Sequence, residues 1–188
     1  MEEILQIFLR LYPLLSPEAQ QYVMNALKTK EVKKKTLLLK IDQVCKNIYF
    51  IEKGLFRCYY YNGEKEVCSW FKKEGDFIIS VNSFFDQKPS YEAIEAVEDG
   101  VLQYISFMEL QYICLHFLEF NIIRALILEK YYKELDAIMY ATKMKTAHER
   151  YKFLRDTYPE IVLRVPATYI ASFLGISLET LSRIKSRR

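Results

Sequence analysis

The sequence predicts an α+β protein: an N-terminal jelly-roll (double-stranded β-helix) barrel with flanking helices, then a long helix, then a C-terminal helix-turn-helix. Three observations support this fold class. Segments rich in β-branched and aromatic residues fill roughly positions 36–105. From Ser106 onward the chain has no glycine or proline until Pro159, which favours helix. In residues 164–188, apolar residues recur at helical spacing on both sides of Gly175.

The composition is that of a globular protein. The 188 residues are 51% hydrophobic and 27% charged, which allows one large domain or two small ones. No run of about 18 apolar residues occurs, so we expect no membrane span. Glu2 and Glu3 stand where a signal peptide would be basic. We therefore expect a cytoplasmic protein with no membrane partner.

The cysteines and histidines do not indicate a metal site. Four cysteines are present, none of them in a CxxC pair, and the two histidines are 32 residues apart. A metal centre is therefore not predicted, and free thiols in a reducing cytoplasm are expected. The cysteines are Cys45, Cys58, Cys68 and Cys114, and the histidines are His116 and His148.

Two short helices are predicted before the strands. Residues 3–12 are amphipathic, and Pro13 ends that helix. Ser16 followed by Pro17 is a helix-start pattern, and the second helix should run to about Lys28.

The middle of the chain predicts short antiparallel strands. Residues 48–51, 55–61 and 66–71 are strand-like, and Asn62-Gly63-Glu64-Lys65 predicts a hairpin turn. Short strands at such even spacing indicate a barrel or jelly roll.

A long helix should follow the strands. Ser106 with Glu109 forms a capping-box pattern, and a helix of about 25 residues comes later in the chain. That helix carries an apolar stripe at 4-3-4-3 spacing, which either pairs with a second copy or packs on the barrel of its own subunit. We favour a homodimer, with Ile123 and Ile127, which lie off the stripe, serving the barrel. The candidate dimer residues are Leu128, Tyr132, Leu135, Met139 and Thr142.

The segment after the long helix leads to the helix-turn-helix. A helix is expected from about Thr146 to Tyr158, and residues 161–165 are expected to form a small strand. Pro166 suits the start of the next helix, Gly175 suits its left-handed end, and Ser177 suits the N-cap of the last helix.

Charge is concentrated in the same region. Residues 150–188 hold eight Lys or Arg against three acidic residues, whereas residues 1–149 carry a net charge of −2. A polar, cationic helix after a tight turn is the unit that enters a major groove. The alternative, an ordinary helical hairpin, explains the apolar residues equally well but leaves the basic excess unexplained.

The chain resembles the Crp/Fnr family of transcription regulators over essentially its whole length. Residues 169–183 resemble the family's I-A-x-x-L-G-x-[ST]-x-E-T-[LV]-S-R signature, and residues 51–54 with 75–77 resemble its β-roll turns. The resemblance implies a cyclic-nucleotide-binding-like effector domain (1–117), a dimerisation helix (118–145) and a winged-helix-type DNA-binding domain (146–188). Since the chain ends just past the last helix, a reduced wing is expected.

The resemblance also implies roles for individual residues. Glu179 matches the residue that accepts a hydrogen bond from cytosine, and Arg183 matches the one that donates to guanine. Leu178 departs from the family, where arginine is frequent, so the operator need not follow the best-known consensus. The candidate DNA-binding residues are Thr168, Tyr169, Ser177, Leu178, Glu179, Thr180, Ser182, Arg183, Lys185, Arg187 and Arg188.

The effector end departs further from the family. The Gly-Glu pair of the cyclic-nucleotide cassette is replaced by Ile79-Ser80, and no arginine lies between Arg57 and Arg124. Glu92 would repel a cyclic phosphate. We therefore expect weak or no cyclic AMP binding and no cofactor, and the N-terminal cysteine cluster of the oxygen-sensing branch is missing. The candidate effector-pocket residues are Ile79, Ser80, Ser90 and Tyr91.

Together these features indicate a homodimeric, sequence-specific DNA-binding transcription regulator that does not respond to cyclic AMP. Its expected partners are a double-stranded DNA operator, a second copy of the chain and, as a further candidate, RNA polymerase. The alternative is a cyclic-nucleotide-like sensor or protein-interaction module without specific DNA readout. An enzyme is not indicated, because no nucleophile–base pair, Walker loop or metal cluster is evident in the sequence.

Overall fold

The computed structural model describes residues 3–186. The strands are β1 (Lys28–Val32), β2 (Leu37–Leu39), β3 (Asn47–Lys53), β4 (Phe56–Asn62), β5 (Lys65–Lys72), β6 (Phe77–Ile78), β7 (Ala93–Ala96) and β8 (Gly100–Ser106). The helices are α1 (Glu3–Leu11), α2 (Pro17–Ala26), α3 (Val81–Asp86), α4 (Phe107–His116), α5 (Glu119–Met144), α6 (Ala147–Thr157), α7 (Pro159–Arg164), α8 (Ala167–Leu174) and α9 (Leu178–Ser186).

The strands form two antiparallel four-stranded sheets. Their orders are β1-β8-β3-β6 and β2-β7-β4-β5. Phe56, Ile94 and Leu102 are fully buried in one apolar cluster that both sheets share. The predicted barrel does not close: within residues 3–186 the strands of one sheet do not pair with those of the other. Two of the four edge strands, β2 and β6, have only three and two residues.

The predicted hairpin is present between β4 and β5. Asn62 pairs with Lys65 across a two-residue loop, and Gly63 takes the positive φ of 61° that this loop requires. Further along, Cys58 pairs with Trp70 but Tyr59 pairs with Cys68. Ser69 is therefore the extra residue of a β-bulge, a device that re-aims side chains.

The N-terminal helices pack against the first sheet and against α5. Phe8 contacts Phe77 and Phe120 through its ring, at centroid distances of 6.3 and 5.5 Å. Ile123 is only 1% exposed in the same cluster, and Ile127 packs against it, as predicted for residues off the stripe. The predicted capping box at Ser106 and Glu109 is also present.

The C-terminal region is entirely helical as far as it is described. Residues 161–165 do not form the predicted strand: Pro159 starts α7, and a helical turn places Ile161 and Val165 together in the core. In the described part of the chain no strand follows Ser106, so the predicted winged form is not seen there. None of the helices in residues 3–186 combines the length and hydrophobicity that crossing a bilayer would require.

Candidate functional site

Helix α9 presents a polar face to solvent. Gly175 ends α8 in the left-handed conformation (φ 63°), and the Ser177 hydroxyl accepts a hydrogen bond from the Thr180 N–H at 3.1 Å, which starts α9. Leu181 is 1% exposed and anchors the opposite face. The exposed residues are Leu178, Glu179, Ser182 and Arg183, with Thr180 and Lys185 partly exposed.

The two residues matched to base contacts lie on this solvent-facing surface. Arg183 donates to the Thr180 hydroxyl at 3.3 Å, which holds its guanidinium along the helix. Hydrogen bonds from its own backbone N–H and from Ser177, together with the charge of Arg183, hold the pKa of Glu179 below its usual range. At neutral pH this face therefore offers one carboxylate acceptor beside one guanidinium donor.

Some basic residues of the C-terminal region are neutralised by ion pairs within the chain. Arg164 pairs with Glu74 and Glu98, and Arg155 pairs with Asp156. Neither Arg183 nor Lys185 forms an ion pair with any residue in 3–186. The positive charge that has no ion partner in residues 3–186 thus includes Arg183 and Lys185 of α9.

The remaining candidates for DNA contact are placed differently. Thr168 is exposed at the start of α8. Tyr169 faces the β-sheets instead of solvent: its hydroxyl accepts a hydrogen bond from Lys35. The Arg57 guanidinium lies over its ring, 3.8 Å from the centroid. Arg187 and Arg188 lie outside the described residues.

Helix α8 is seated on strand β5 of the second sheet. The Ser172 hydroxyl donates to the Glu66 carbonyl at 2.9 Å and accepts from the Cys68 N–H at 3.0 Å. The rings of Phe71 and Phe173 lie 5.3 Å apart. Sequence reasoning missed this seat, because Ser172 and Phe173 carry no local signal of a partner about a hundred residues away.

A buried charge cluster lies beneath the same seat. Arg57 is 2% exposed and pairs with Glu95 and with Glu66. Its guanidinium is also stacked on Tyr59, 4.1 Å from the ring centroid, as well as on Tyr169. A planar guanidinium held between two rings and two carboxylates is a strong and directional contact.

A second anchor joins α7 to the turn between β5 and β6. Two guanidinium nitrogens of Arg164 each donate to a Glu74 oxygen at 2.8 Å. The hydrogen bonds from Arg164, followed by backbone N–H groups that include Gly54, lower the pKa of Glu74 to about 2. Lys73 pairs with Glu160 at 2.9 Å beside it.

A cavity of about 550 Å³ lies between the sheets and helices α1–α5. Ile79 and Tyr91, two of the four predicted effector-pocket residues, line it. The other two, Ser80 and Ser90, are buried and hydrogen-bonded to each other at 2.8 Å. Most of the lining is apolar or aromatic, for example Phe8, Phe50, Tyr60, Trp70, Phe77, Ile78, Phe84, Phe85, Tyr104, Leu110, Ile113 and Phe120.

One carboxyl group interrupts this apolar lining. Glu92 is 7% exposed and accepts a hydrogen bond from the Ser69 hydroxyl at 3.2 Å. Burial, only partly offset by hydrogen bonds from Ser80 and Ser69, raises the pKa of Glu92 above its ordinary value. Sequence reasoning treated Glu92 only as a repulsive group. The bulge at Ser69, which brings the hydroxyl to it, left no sequence signal.

The predicted dimer stripe is open to solvent along α5. Leu128, Tyr132, Leu135 and Met139 are 44%, 73%, 48% and 45% exposed, and Thr142 is also exposed. Leu128, Tyr132 and Leu135 also border the cavity. Their own subunit therefore leaves much of this apolar surface uncovered.

The cysteines are buried, and Cys58 is one of the residues that line the cavity. All four are buried and unpaired thiols. Among the described residues, no group of three or more His, Cys, Asp or Glu side chains is placed to hold a metal ion.

Known proteins resemble this chain in structure. No family profile and no curated protein matches the sequence. Among solved structures, a protein from Eubacterium rectale assigned to the Crp/Fnr family of transcriptional regulators superposes with a TM-score of 0.73 at 18% identity, covering 94% of this chain and 85% of that one. A mutant of CooA from Carboxydothermus hydrogenoformans gives 0.68 at 22% identity, covering 87% and 77%.

A third solved structure is also similar to this chain. The c-di-GMP-responsive global regulator CLP of Xanthomonas campestris superposes with a TM-score of 0.70 at 16% identity, covering 92% of this chain and 91% of that one. Each of these superpositions covers most of this chain and most of the other. The chain therefore has the cyclic-nucleotide-binding type of fold that the Crp/Fnr regulators have.

Proposed function

We propose that this protein is a homodimeric, sequence-specific DNA-binding transcription regulator, and that α8 and α9 form its helix-turn-helix. The observation that carries the proposal is the outer face of α9. Glu179 and Arg183 are exposed on it, one helical turn apart, while Leu181 is buried beneath them. The proposed division is an effector domain (1–117), a dimerisation helix (118–145) and a DNA-binding domain (146–188).

The chemistry of that face suits a major groove. A carboxylate accepts from the cytosine amino group, and an arginine donates to the guanine edge. Thr180 and Ser182 are placed for phosphate or base edges, and Lys185 for sequence-independent phosphate attraction. Because Leu178 offers only apolar contact, the base next to the pair is read less strictly. The structural resemblance to Crp/Fnr regulators supports the same assignment.

Dimerisation follows from the way such helices bind. Two recognition helices about one DNA turn apart require a two-fold axis. The exposed apolar stripe on α5 supplies a self-complementary surface for that axis, as knobs-into-holes packing requires. We propose that the protein acts in the cytoplasm by binding and not by catalysis, with RNA polymerase as a further partner.

The effector is proposed to be something other than a cyclic nucleotide. The cavity holds a buried carboxyl group, and its only described arginine, Arg124, is stacked on Phe85 at 5.6 Å from the ring centroid. A cyclic phosphate would meet repulsion from Glu92 without a bidentate partner. Titration calorimetry with cyclic AMP and cyclic GMP tests this, and sub-micromolar affinity for either would contradict it.

The test of DNA readout is selection of a binding sequence from genomic fragments, followed by fluorescence anisotropy. Arg183→Ala should weaken specific binding by about 1–3 kcal/mol and relax the base preference at one position. Arg155→Ala removes the same charge from α6, where Arg155 pairs with Asp156, and should change affinity far less. Equal specific binding by wild type and Arg183→Ala would contradict groove reading by α9 and favour an interaction module.

A further inference from the structure

The polar groups of the cavity indicate what kind of molecule it accepts. We infer that the cavity binds a small apolar or aromatic amine, whose ammonium group pairs with Glu92 and whose body lies against the aromatic lining. The inference rests on the proposed function only in treating this ligand as the effector. It concerns the chemical class of the ligand, which neither the fold nor its structural neighbours specify.

Glu92 has hydrogen-bond donors around it but no cationic partner among residues 3–186. Its side chain is held by neutral hydroxyl donors, and no Lys or Arg nitrogen in residues 3–186 lies within 4.0 Å of its carboxylate. A buried carboxylate without a cation is unfavourable, whereas a ligand cation would satisfy it. The group is thus a ready acceptor for an ammonium.

Lys72, the lysine of the cavity lining, already forms an ion pair with another carboxylate. Lys72 also lines the cavity, but its ammonium pairs with Glu134 at 3.1 Å. The same ammonium lies 4.5 and 4.1 Å from the ring centroids of Trp70 and Tyr131. Arg124, the other cation of the lining, is only partly buried and lies over the Phe85 ring, 5.6 Å from its centroid. Because Glu134 neutralises Lys72, Glu92 is the buried charge of the lining that has no ion partner within residues 3–186, and this favours a cationic ligand over an anionic one.

The cavity that contains Glu92 is rich in aromatic side chains. Trp70, Tyr60, Tyr91 and Tyr104 line it together with Glu92. Aromatic faces attract ammonium groups and stack on aromatic bodies. A volume of about 550 Å³ is in the range that holds a small organic ligand. Size, lining and charge therefore agree on an aromatic amine.

The experiment uses the full chain and its own fluorescence. Trp70 is the single tryptophan of the sequence and lines the cavity, so its emission reports occupancy. Three probes share one skeleton: 4-phenylbutylamine, 4-phenylbutanol and 4-phenylbutyrate. We expect the amine to bind roughly tenfold or more tightly than the alcohol, and the acid to bind more weakly than either. Tighter binding of the acid, or equal binding of amine and alcohol, would overturn the inference.

Variants locate the interaction. Glu92→Gln keeps the shape of the side chain and one oxygen that can accept from a hydroxyl but removes the charge, so the amine should bind no better than the alcohol while alcohol affinity stays the same. Glu64→Gln, in the exposed β4–β5 turn, is the matched control and should change nothing. Unchanged amine affinity in Glu92→Gln would overturn the inference. The three-probe comparison on wild type tests it even where the variant folds poorly.

DNA binding measured alongside separates this inference from the proposed function. Operator affinity in wild type without amine selectivity in the cavity would overturn the ligand class and leave the DNA-binding proposal standing. Amine binding through Glu92 without any DNA binding would support the ligand class and contradict the regulator. A change in operator affinity on adding 4-phenylbutylamine would support both.

Discussion

The Arg57 guanidinium carbon lies 3.8 Å from the centroid of the Tyr169 ring, which joins the second sheet to helix α8. The sequence predicts that Tyr169 touches DNA, but in the structure it contacts Lys35 and Arg57 of its own chain. Because Arg57 is buried among Glu66, Glu95 and Tyr59, the ring rests on a rigid support. Any movement of α8 and α9 relative to the sheets must break this contact.

Tyr169→Ala should therefore loosen α8 from the sheets. Loss of the ring removes the stacking on Arg57, worth about 1 kcal/mol or more in a desolvated site. Hydrogen exchange should rise at the Cys68 amide, which donates to Ser172 of α8. Tyr169→Phe keeps the ring and loses only the bond from Lys35, so its exchange should stay close to wild type. Equal protection of Cys68 in wild type and Tyr169→Ala would contradict this.

The ion pair of Glu74 with Arg164 should make the seat of the C-terminal helices sensitive to acid. The folded-state pKa of Glu74, about 2, lies below its ordinary value of 4.5, so the folded state favours the ionised form. That stabilisation is present above pH 4.5 and is lost as the pH falls toward 2.

Glu74→Gln should accordingly lower Tm at pH 7, and its difference from wild type should shrink on acidification below about pH 4.5. Thermal unfolding followed by circular dichroism measures this. Glu64→Gln, an exposed control, should lower Tm much less. A difference that stays constant from about pH 7 to about pH 3 would show that the charge of Glu74 contributes nothing.

Glu92 should behave in the opposite way. Burial raises its folded-state pKa, so the folded state favours the protonated form, and ionisation destabilises the fold above the folded-state pKa. Glu92→Gln should raise Tm at about pH 8, and the gain should disappear below the ordinary pKa of 4.5, where both states are protonated. A lower Tm under the same alkaline conditions would mean that ionised Glu92 stabilises the ligand-free fold.

Local signals in the sequence predicted much of the fold. The capping box at Ser106, the hairpin turn at Gly63 and the left-handed helix end at Gly175 each depend on residues within a few positions, and each is present. The prediction of a strand at residues 161–165 is wrong. It relied on the β-branched residues of that segment and gave too little weight to Pro159, which favours the start of a helix.

Contacts between distant residues could not be predicted in this way. The stacking of Arg57 on Tyr169 and the burial of Glu92 join elements far apart in the chain. Barrel closure likewise depends on pairing between edge strands of the two sheets, which alternation of apolar residues does not reveal. Of the candidate site, the polar face of α9 was predicted from spacing, whereas the ionic seat beneath α8 was not.

The exposed stripe on α5 leads to a prediction about assembly. Leu135→Glu places a charge in the middle of the apolar stripe, so a dimer that uses this surface should dissociate, since an unpaired charge would be buried there. Sedimentation velocity should show monomer at micromolar concentration. Lys133→Glu adds the same side chain to an exposed position off the stripe and should remain dimeric. If Leu135→Glu sediments as a dimer like wild type, the two-fold contact lies on another surface, and the spacing of the two α9 helices must be set there.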